Sequence, residues 1–281
     1  MTTKLFILGE GDLFHWSIQN AKVNKKLIHL LGSFDSSKKN FDNFYLNNRK
    51  IFQNVDCIFL CGHRYKISEK ILDENTVINS HGSLLPKYKG FHGNVWAMIN
   101  CEKKIGFTIH LVDKNFDSGP IIFKYSINTG DILSYLELKE KYMKYWKLNI
   151  FKIISKFNNQ KLKPKIQNQS QSTFVTKRNK SDCKINWDQP TLKIKFFIRA
   201  LKYPFTNGAY FTYKKKKFYV YDTFNYKCLD YSEIPGKLVY FTEEGILIKT
   251  QDNVIGIKSL IKDGKIYSPI NIFNKIGLRI N

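Results

Sequence analysis

Three polar side chains in two segments have the residue types that acyl transfer requires. Asn79 and His81 stand two residues apart at the end of a short apolar run, so that in extended backbone they point the same way. Asp117 lies in a second segment, where Gly119 and Pro120 favour a turn. An amide can donate to a developing oxyanion, a histidine can transfer a proton, and a carboxylate can orient that histidine and raise its pKa. Together these residue types predict one catalytic unit.

The elements that must position this unit follow an alternating pattern. Apolar runs predict strands over residues 4–8, 27–31, 56–61, 76–79, 106–112 and 120–127, and helical spacing predicts helices over 93–101 and 132–157. Such alternation is typical of an α/β sheet. Because open α/β sheets bind ligands beyond the ends of their strands, Asn79 at a strand end and Asp117 in a loop between strands are expected to converge there.

The chain changes character after residue 158. Residues 159–184 are rich in Asn, Gln, Ser and Lys and lack apolar periodicity, which predicts a linker. Short strand-like runs separated by turns follow over 218–221, 237–241, 245–250 and 254–260, a pattern typical of a small β-barrel or sandwich. We therefore predict an α/β catalytic domain over 1–158, a linker over 159–184 and a small β domain over 185–281.

The net charge of +23 invites a nucleic-acid interpretation. Only five of the 46 basic residues are Arg, however, and Arg is the side chain best suited to bidentate phosphate and base contacts. The scattered lysines favour a solvated surface, with an anionic small substrate still compatible. The run Lys214–Lys217 predicts a hairpin turn, and an RNA contact there is the less favoured alternative.

Cysteine usage and hydropathy exclude several other classes. The five cysteines form no CxxC pair and suit neither a disulfide framework nor a zinc site, so no metal is expected. No apolar run approaches the roughly 18 residues that span a bilayer, and the first residues do not resemble a signal peptide. We expect a cytoplasmic protein without membrane insertion.

Two long motifs carry a family resemblance. The runs INSHGSLLPKYKG (78–90) and IGFTIHLVDKNFDSGPII (105–122) resemble the formyltransferases that use N10-formyltetrahydrofolate. Residues 185–188, 197–204, 208–209, 234–239 and 245–250 are similar to the C-terminal OB-like domain of that family. The resemblance covers about three quarters of the chain, and residues 12–50 and the linker match poorly. It implies a Rossmann-like formyltransferase domain followed by a small OB-like β domain.

The resemblance also implies a mechanism. Asn79, His81 and Asp117 match the catalytic residues of the family. An acceptor amine would attack the formyl carbon of N10-formyltetrahydrofolate, and Asn79 and a protonated His81 would hold the oxyanion. Asp117 would keep His81 charged and position a water that relays the amine proton. N10-formyltetrahydrofolate is thus the expected co-substrate, with no metal.

Binding residues are likewise expected from the resemblance. The flat pterin would lie between residues 62–67 and 112–117, where backbone groups would bond it. The expected folate-binding residues are Arg64, Tyr65, Ile67, Leu84, Val112, Asp113 and Phe116, with Ile67 and Leu84 as apolar walls. The expected acceptor-binding residues are Gly9, Glu10, Lys89, His92 and Trp96. Trp96 has a core position as an equal alternative, and His110, inside a strand, is expected to be structural.

Three interpretations of the acceptor compete. The favoured one is the amine of a dTDP- or UDP-linked amino-deoxy sugar, used for surface polysaccharide such as lipopolysaccharide O-antigen. It rests on the run Gly90–Trp96, which resembles the sugar enzymes, and it is compatible with a homodimer. The alternative is a methionyl-tRNA formyltransferase. The third, an inactive formyltransferase fold used only for binding, is disfavoured because Asn79, His81 and Asp117 are all present.

Overall fold

The computed structural model describes residues 2–38, 40–130, 134–202, 208–229, 231–262 and 264–281. The strands are β1 (Thr3–Gly9), β2 (Ile28–Asp35), β3 (Cys57–Cys61), β4 (Val77–His81), β5 (Lys89–Gly90), β6 (Lys104–Leu111), β7 (Ile121–Asn128), β8 (Phe174–Val175), β9 (Tyr210–Tyr213), β10 (Lys216–Phe224), β11 (Leu238–Thr242), β12 (Gly245–Lys249), β13 (Val254–Lys262) and β14 (Lys265–Tyr267). The α-helices are α1 (Gly11–Val23), α2 (Phe41–Asn47), α3 (Arg49–Phe52), α4 (Glu69–Glu74), α5 (Gly93–Ile99), α6 (Tyr135–Asn158) and α7 (Thr191–Ala200). Short 3-10 helices cover Ser36–Lys38, Gln169–Gln171, Ser181–Cys183 and Pro269–Asn271.

The chain divides into two compact units. One comprises Met1–Asn94, Ile105–Ile127 and Glu140–Thr176, and the other comprises Val95–Lys104, Asn128–Lys139 and Lys177–Asn281. The domain boundaries at residues 158 and 185 remain a prediction. The start of the predicted helix over 132–157 falls partly outside the described residues; the described helix begins at Tyr135.

The first unit is built on a six-stranded sheet in the order β2-β1-β3-β4-β6-β7. Strands β2, β1, β3 and β4 run parallel, and β6 pairs antiparallel with β4. All five residues of β3 are buried, as are Leu5–Leu8 of β1, which is expected of parallel strands covered on both faces. The predicted α/β class is confirmed.

An aromatic cluster closes one part of this unit. Phe6 of β1 packs against Phe41, Tyr45 and Phe52 from α2 and α3, with the ring centroids of Phe6 and Phe52 4.7 Å apart. Helices α2, α3 and α4 were not predicted. Each is seven residues long or shorter, so their stability comes from burying apolar side chains such as these rings rather than from helix propensity.

The second unit contains an antiparallel sheet in the order β11-β12-β13-β10-β9, with β14 paired to β13. All five residues of β12 are buried, and Phe211, Phe218 and Phe273 pack beneath the β9–β10 hairpin. Lys214 and Lys215 form the hairpin turn with φ of 46° and 62°. The predicted C-terminal β domain and the predicted lysine hairpin are both confirmed.

Within the described residues, no helix has an 18-residue window apolar enough to cross a membrane.

Candidate active site

Strand pairing brings the first site residues together. In the β4–β6 register Asn79 lies opposite His110, and His81 lies opposite Thr108. Asn79 and His81 therefore project from one face of β4 at its carboxyl end, as their spacing predicts. The antiparallel partner β6 then leads directly into the turn that carries Asp117, which returns the carboxylate to the same end of the sheet.

The Asp117 turn is built from close backbone contacts. Asp117 has a left-handed φ of 53°, a conformation that Asp tolerates better than most residues. Gly119 cannot be replaced without rearrangement, because a Cβ there would lie 2.0 Å from the Leu111 carbonyl oxygen. The side-chain amide of Gln167 donates to the carbonyl oxygens of Asp117 at 2.9 Å and Gly119 at 2.7 Å. These contacts fix the direction of the Asp117 side chain.

The Asp117 carboxylate is the centre of the cluster. Its Oδ2 lies 3.3 Å from Nδ1 of His81 and accepts from the Gly90 backbone N–H at 2.9 Å. Its Oδ1 lies 3.4 Å from the Asn79 amide nitrogen and 3.5 Å from Nε2 of His110. The structure thus brings Asn79, His81 and Asp117 together, as the sequence predicts.

Burial and hydrogen bonding set the charge states. Burial opposes ionisation of Asp117, but the hydrogen bonds that its carboxylate accepts, among them that of the Gly90 N–H, outweigh burial and lower its pKa to about 2. The carboxylate is therefore ionised at neutral pH. Burial lowers the pKa of His81 below its ordinary value, and the opposing effect of Asp117 does not overcome this. This corrects the expectation that Asp117 keeps His81 protonated.

The two ring nitrogens of His81 have different partners. Nε2 lies 3.0 Å from the Tyr88 carbonyl oxygen and so carries a hydrogen that it donates there. In the neutral ring Nδ1 then has a lone pair facing the Asp117 carboxylate. A proton arriving at Nδ1 would gain a charge-assisted hydrogen bond to Asp117, so the arrangement suits transient protonation of His81.

His110 belongs to the cluster although the sequence analysis assigned it a structural role only. Its Nδ1 donates to the Leu111 carbonyl oxygen at 2.7 Å, which leaves Nε2 to accept from the Asn79 amide at 3.2 Å. The available sequence signal was the strand parity of β6: His110 alternates with Thr108, which faces His81 across the strand pair. That signal could be used only once the register between β4 and β6 was known.

The predicted linker also contributes to the site. The Tyr88 backbone N–H donates to the Thr173 hydroxyl at 2.8 Å, and β5 pairs in parallel with β8, placing Lys89 beside Phe174. The Lys89 ammonium donates to Gln169 at 2.7 Å. Residues 167–175 therefore hold the loop that supplies the Tyr88 carbonyl and the Gly90 N–H.

The predicted folate-binding residues fall into three groups by their packing and burial. Ile67 is buried in the apolar cluster of β1 and β3, and Val112 packs against that same cluster. Leu84 and Asp113 are half-buried, and Asp113 accepts from the Ser118 hydroxyl at 2.6 Å. Arg64, Tyr65 and Phe116 are exposed.

A cavity of about 250 Å³ adjoins the first of the predicted folate segments. Tyr65 and Ile67 line it, together with Phe34, Phe41 and His63. Among the described residues, its lining comes from the β2–α2 segment and from residues 63–67, and includes none of 112–117. The expected second wall of the folate pocket is therefore not part of this cavity. Burial lowers the pKa of His63 to about 4, and its buried Nε2 has no hydrogen-bond partner among the described residues. A neutral imidazole nitrogen is thus available to a ligand.

The residues predicted at the first turn have structural partners. Gly9 ends β1 so close to β3 that a Cβ there would lie 1.8 Å from the Cys61 carbonyl oxygen. Glu10 precedes α1, and its carboxylate pairs with Arg64 at 2.5 Å. These contacts explain both residues without a ligand, and their predicted role in acceptor binding stays untested.

The remaining predicted acceptor residues differ in accessibility. Lys89 is buried, which lowers the pKa of its ammonium, whereas His92 is exposed with a left-handed φ of 61°. Trp96 is half-buried, and the Arg178 guanidinium carbon lies 5.2 Å from its ring centroid. Two buried nitrogens of Arg178, Nε and Nη1, have no hydrogen-bond partner among the described residues. Sequence analysis gave Arg178 no role.

In the part of the chain that the structure describes, no three His, Cys, Asp or Glu side chains are grouped so that they could hold a metal ion.

Comparison with known families gives two matches along the chain. The family described as Formyl transferase matches residues 19–145, and that described as Formyl transferase, C-terminal domain, matches residues 177–277. The first match contains the whole cluster of Asn79, His81, His110 and Asp117, and the second contains the antiparallel sheet.

Among curated proteins, the chain is similar to methionyl-tRNA formyltransferases. It is 31% identical over 237 residues to that of Malacoplasma penetrans, covering 82% of this chain and 72% of that protein. It is 30% identical over 195 residues to that of Alkaliphilus oremlandii, covering 69% of this chain and 62% of that protein. The matched region thus spans between three fifths and three quarters of these relatives.

Solved structures share the fold at lower identity. The methionyl-tRNA formyltransferase from Clostridium thermocellum superposes with a TM-score of 0.60 at 18% identity, covering 90% of this chain and 99% of that one. A 4-N formyltransferase from Francisella tularensis superposes with a TM-score of 0.61 at 20% identity, covering 76% of this chain and 95% of that one. HypX from Aquifex aeolicus in complex with tetrahydrofolic acid superposes with a TM-score of 0.63 at 13% identity, covering 97% of this chain and 47% of that one.

Proposed function

The chain belongs to the formyl transferase family, and we propose that it moves a formyl group from N10-formyltetrahydrofolate to a primary amine. The observation that carries this proposal is the cluster at the end of β4, where Asn79, His81 and Asp117 converge within 3.4 Å contacts. An amide donor, a neutral imidazole and an ionised carboxylate are the groups that acyl transfer to an amine requires.

The proposed reaction balances within the two substrates. The amine nitrogen bonds to the formyl carbon, and the formyl oxygen becomes an oxyanion. The bond between the formyl carbon and N10 then breaks. The amine loses one proton and N10 gains one, giving a formamide and tetrahydrofolate. The Asn79 amide donates to the oxyanion and gives up its contact with Asp117 to do so.

His81 moves the proton in this scheme. Its lowered pKa keeps the ring neutral and able to accept from the attacking amine. Asp117, ionised and fixed by the Gly90 N–H, stabilises the imidazolium that forms at Nδ1. His81 then returns the proton to N10. The carboxylate acts by orientation and charge and stays deprotonated throughout, as its low pKa favours.

Two features support a folate co-substrate. The cavity beside Tyr65 and Ile67 has apolar walls and one buried nitrogen, Nε2 of His63, without a partner among the described residues. A flat, polar-edged ring is the kind of group that such a lining accepts. The name of the Aquifex aeolicus neighbour, a complex with tetrahydrofolic acid, is consistent with this.

We propose methionyl-tRNA as the acceptor. The curated relatives that share about 30% identity with the chain carry that name, and their matches extend into the second unit. The net charge of +23 suits a polyanionic partner, and the hairpin at Lys214 and Lys215 places two lysines at an exposed tip. This choice reverses the preference that the sequence analysis gives.

A nucleotide-linked amino sugar is the second candidate. It is favoured by the run Gly90–Trp96 and by the low number of arginines. The 4-N formyltransferase from Francisella tularensis and the methionyl-tRNA formyltransferase from Clostridium thermocellum both share the fold, so the fold alone does not choose the acceptor. The Arg178 guanidinium suits a phosphate group and fits either acceptor.

One assay separates the two. Purified protein receives methionyl-tRNA and a dTDP-linked amino sugar in parallel, with N10-formyltetrahydrofolate in excess, and His81→Ala serves as the inactive control. Formylation of the tRNA alone is expected. Formylation of the sugar nucleotide alone would overturn methionyl-tRNA as the acceptor and favour the amino sugar. Formylation of neither, with no release of tetrahydrofolate, would overturn the proposed activity.

A further inference from the structure

The second unit contains a cavity outside the catalytic cluster, with a volume of about 480 Å³. Its lining is mostly polar and includes both signs of charge. The lining residues are Asp188, Tyr231, Ser232, Glu233, Pro235, Lys249 and Gln251. The proposed formyl transfer uses none of them.

Lys249 is the unusual member of this lining. It lies in β12, where its side chain is 1% exposed, and its ammonium nitrogen has no hydrogen-bond partner among the described residues. Its Nζ lies 4.9 Å from the centroid of the Tyr231 ring, and its charge also interacts electrostatically with Glu233. An aromatic ring attracts a cation but accepts none of its three N–H bonds in the way an oxygen does. A buried ammonium without an acceptor is costly, which points to an oxygen ligand.

The two carboxylates of the cavity are not equivalent. Glu233 already accepts from the Lys237 ammonium at 3.2 Å and from the Ile234 backbone N–H at 2.7 Å. Asp188 lies at the exposed rim, and within the described ranges no ion pair is formed by its carboxylate. One buried ammonium and one rim carboxylate are thus left to interact with a ligand.

A second buried donor lies next to the cavity wall. Trp187 precedes Asp188, and its indole Nε1 also lacks a hydrogen-bond partner among the described residues. The Trp187 ring approaches Gly236, beside Pro235 of the lining: a Cβ at Gly236 would lie 3.1 Å from its Cδ1. Unsatisfied donors thus gather on this side of the domain, and buried donors normally have acceptors.

We propose that this cavity binds an α-amino acid as its zwitterion, with the carboxylate on Lys249 and the ammonium on Asp188. A simple anion would satisfy Lys249 but would be repelled by the two carboxylates. A simple amine would leave the buried ammonium without an acceptor. A zwitterion meets both needs and adds no net charge, and the volume exceeds that of an amino acid, leaving room for its side chain beside Tyr231 and Pro235.

The test uses three small probes on the full chain, namely acetate, methylammonium and glycine, followed by NMR titration of the 15N-labelled protein. We expect glycine to bind at least about tenfold tighter than acetate, as a second close charge pair provides, and methylammonium not to bind detectably. Lys249→Met should weaken the binding of both glycine and acetate at least about tenfold. Asp188→Asn should reduce the affinity for glycine to that for acetate, and should leave the affinity for acetate unchanged or higher. Lys258→Met, which removes an exposed lysine of β13, should change neither.

Thermal unfolding supplies a second readout. If Lys249 is kept for a ligand, Lys249→Met should raise Tm by roughly 2–5 °C without ligand, because it removes an unpaired buried charge. Glycine should then raise the Tm of the wild type and not that of the variant. The proposal is overturned if Lys249→Met lowers Tm, which would assign the lysine to packing against Tyr231. It is also overturned if glycine binds no tighter than acetate, or binds Lys249→Met and the wild type equally.

Discussion

Asn79 and His110 face each other across two antiparallel strands, and the Asn79 amide nitrogen lies 3.2 Å from Nε2 of His110. Because Nδ1 of His110 donates to the Leu111 carbonyl, Nε2 has a lone pair to offer. The pairing decides which end of the amide points into the cluster. The donor end of Asn79 faces Asp117, and that is the end that an oxyanion requires.

His110→Phe tests this orientation. An aromatic ring is kept and the acceptor is lost, so we expect kcat to fall about tenfold, as a misoriented oxyanion donor would cause. KM for the folate should change little. His110→Gln, which keeps an acceptor, should recover part of the loss. Equal kcat for the wild type and His110→Phe, with both folded by circular dichroism, would refute the orienting role.

His81→Ala and Asn79→Ala test the proposed chemistry. Each should lower kcat at least about a hundredfold, because one removes the proton carrier and the other the oxyanion donor. Both residues lie at the end of β4, and the fold should survive their loss. Steady-state kinetics with a parallel thermal melt makes the measurement. A His81→Ala enzyme with near-normal turnover would remove the basis of the mechanism.

Asp117→Asn tests the electrostatics through stability. The folded pKa of Asp117, about 2, lies below its unfolded value of 3.8, so ionised Asp117 contributes about 2 kcal/mol. That contribution is fully present above about pH 4 and is lost as the pH falls towards 2. The difference in free energy of unfolding between the wild type and Asp117→Asn should therefore narrow over this window. Urea melts at pH 6, 4 and 3 make the comparison, and a constant difference would contradict the assigned pKa.

Arg178→Lys tests the acceptor contact. Lysine keeps the charge but loses the planar fork that stacks on Trp96 and donates through two nitrogens. We expect KM for the acceptor to rise about tenfold, with KM for N10-formyltetrahydrofolate unchanged. The neighbouring exposed Lys177→Arg provides the control. If the folate KM moves and the acceptor KM does not, Arg178 does not serve the acceptor.

Reversing charge at the hairpin tests the tRNA assignment. Lys214→Glu combined with Lys215→Glu should lower kcat/KM for methionyl-tRNA at least about tenfold, and should reduce the slope of its salt dependence by up to about two. Lys161→Glu combined with Lys163→Glu makes the same charge change at exposed positions of the other unit. Equal loss in both double variants would indicate a general charge effect instead of a contact at the hairpin.

Much of the fold could be predicted because burial on both faces leaves a plain signal. Strand β3 is apolar over its whole length. Asn79 and His81, at the end of β4, are two residues apart, and this spacing puts both side chains on one face of an extended strand. Helices α2 and α3 gave no such signal, since the polar Asp42 and Asn43 separate Phe41 from Tyr45 in α2, and α3 is only four residues long.

The site could be predicted in part for the same reason. Residue types and motif spacing identified Asn79, His81 and Asp117, but the charge state of His81 depends on burial, which spacing does not report. His110 and Arg178 were missed because their partners lie far along the chain. Contacts of that kind follow from strand register and from the course of an irregular segment, and neither has a periodicity to read.

Gln167 shows what this means for dividing the protein. It lies beyond residue 158, in the segment that sequence composition assigns to a linker, yet its amide holds both carbonyls of the turn that carries Asp117. A fragment ended at the last residue of α6 would keep Asn79, His81 and Asp117 and would lose this clamp, together with the β8 strand that pairs with β5. A chimaera that joins the first unit to another domain should therefore include the chain through residue 176, since the segment after α6 also holds the loop and the turn that surround Asp117.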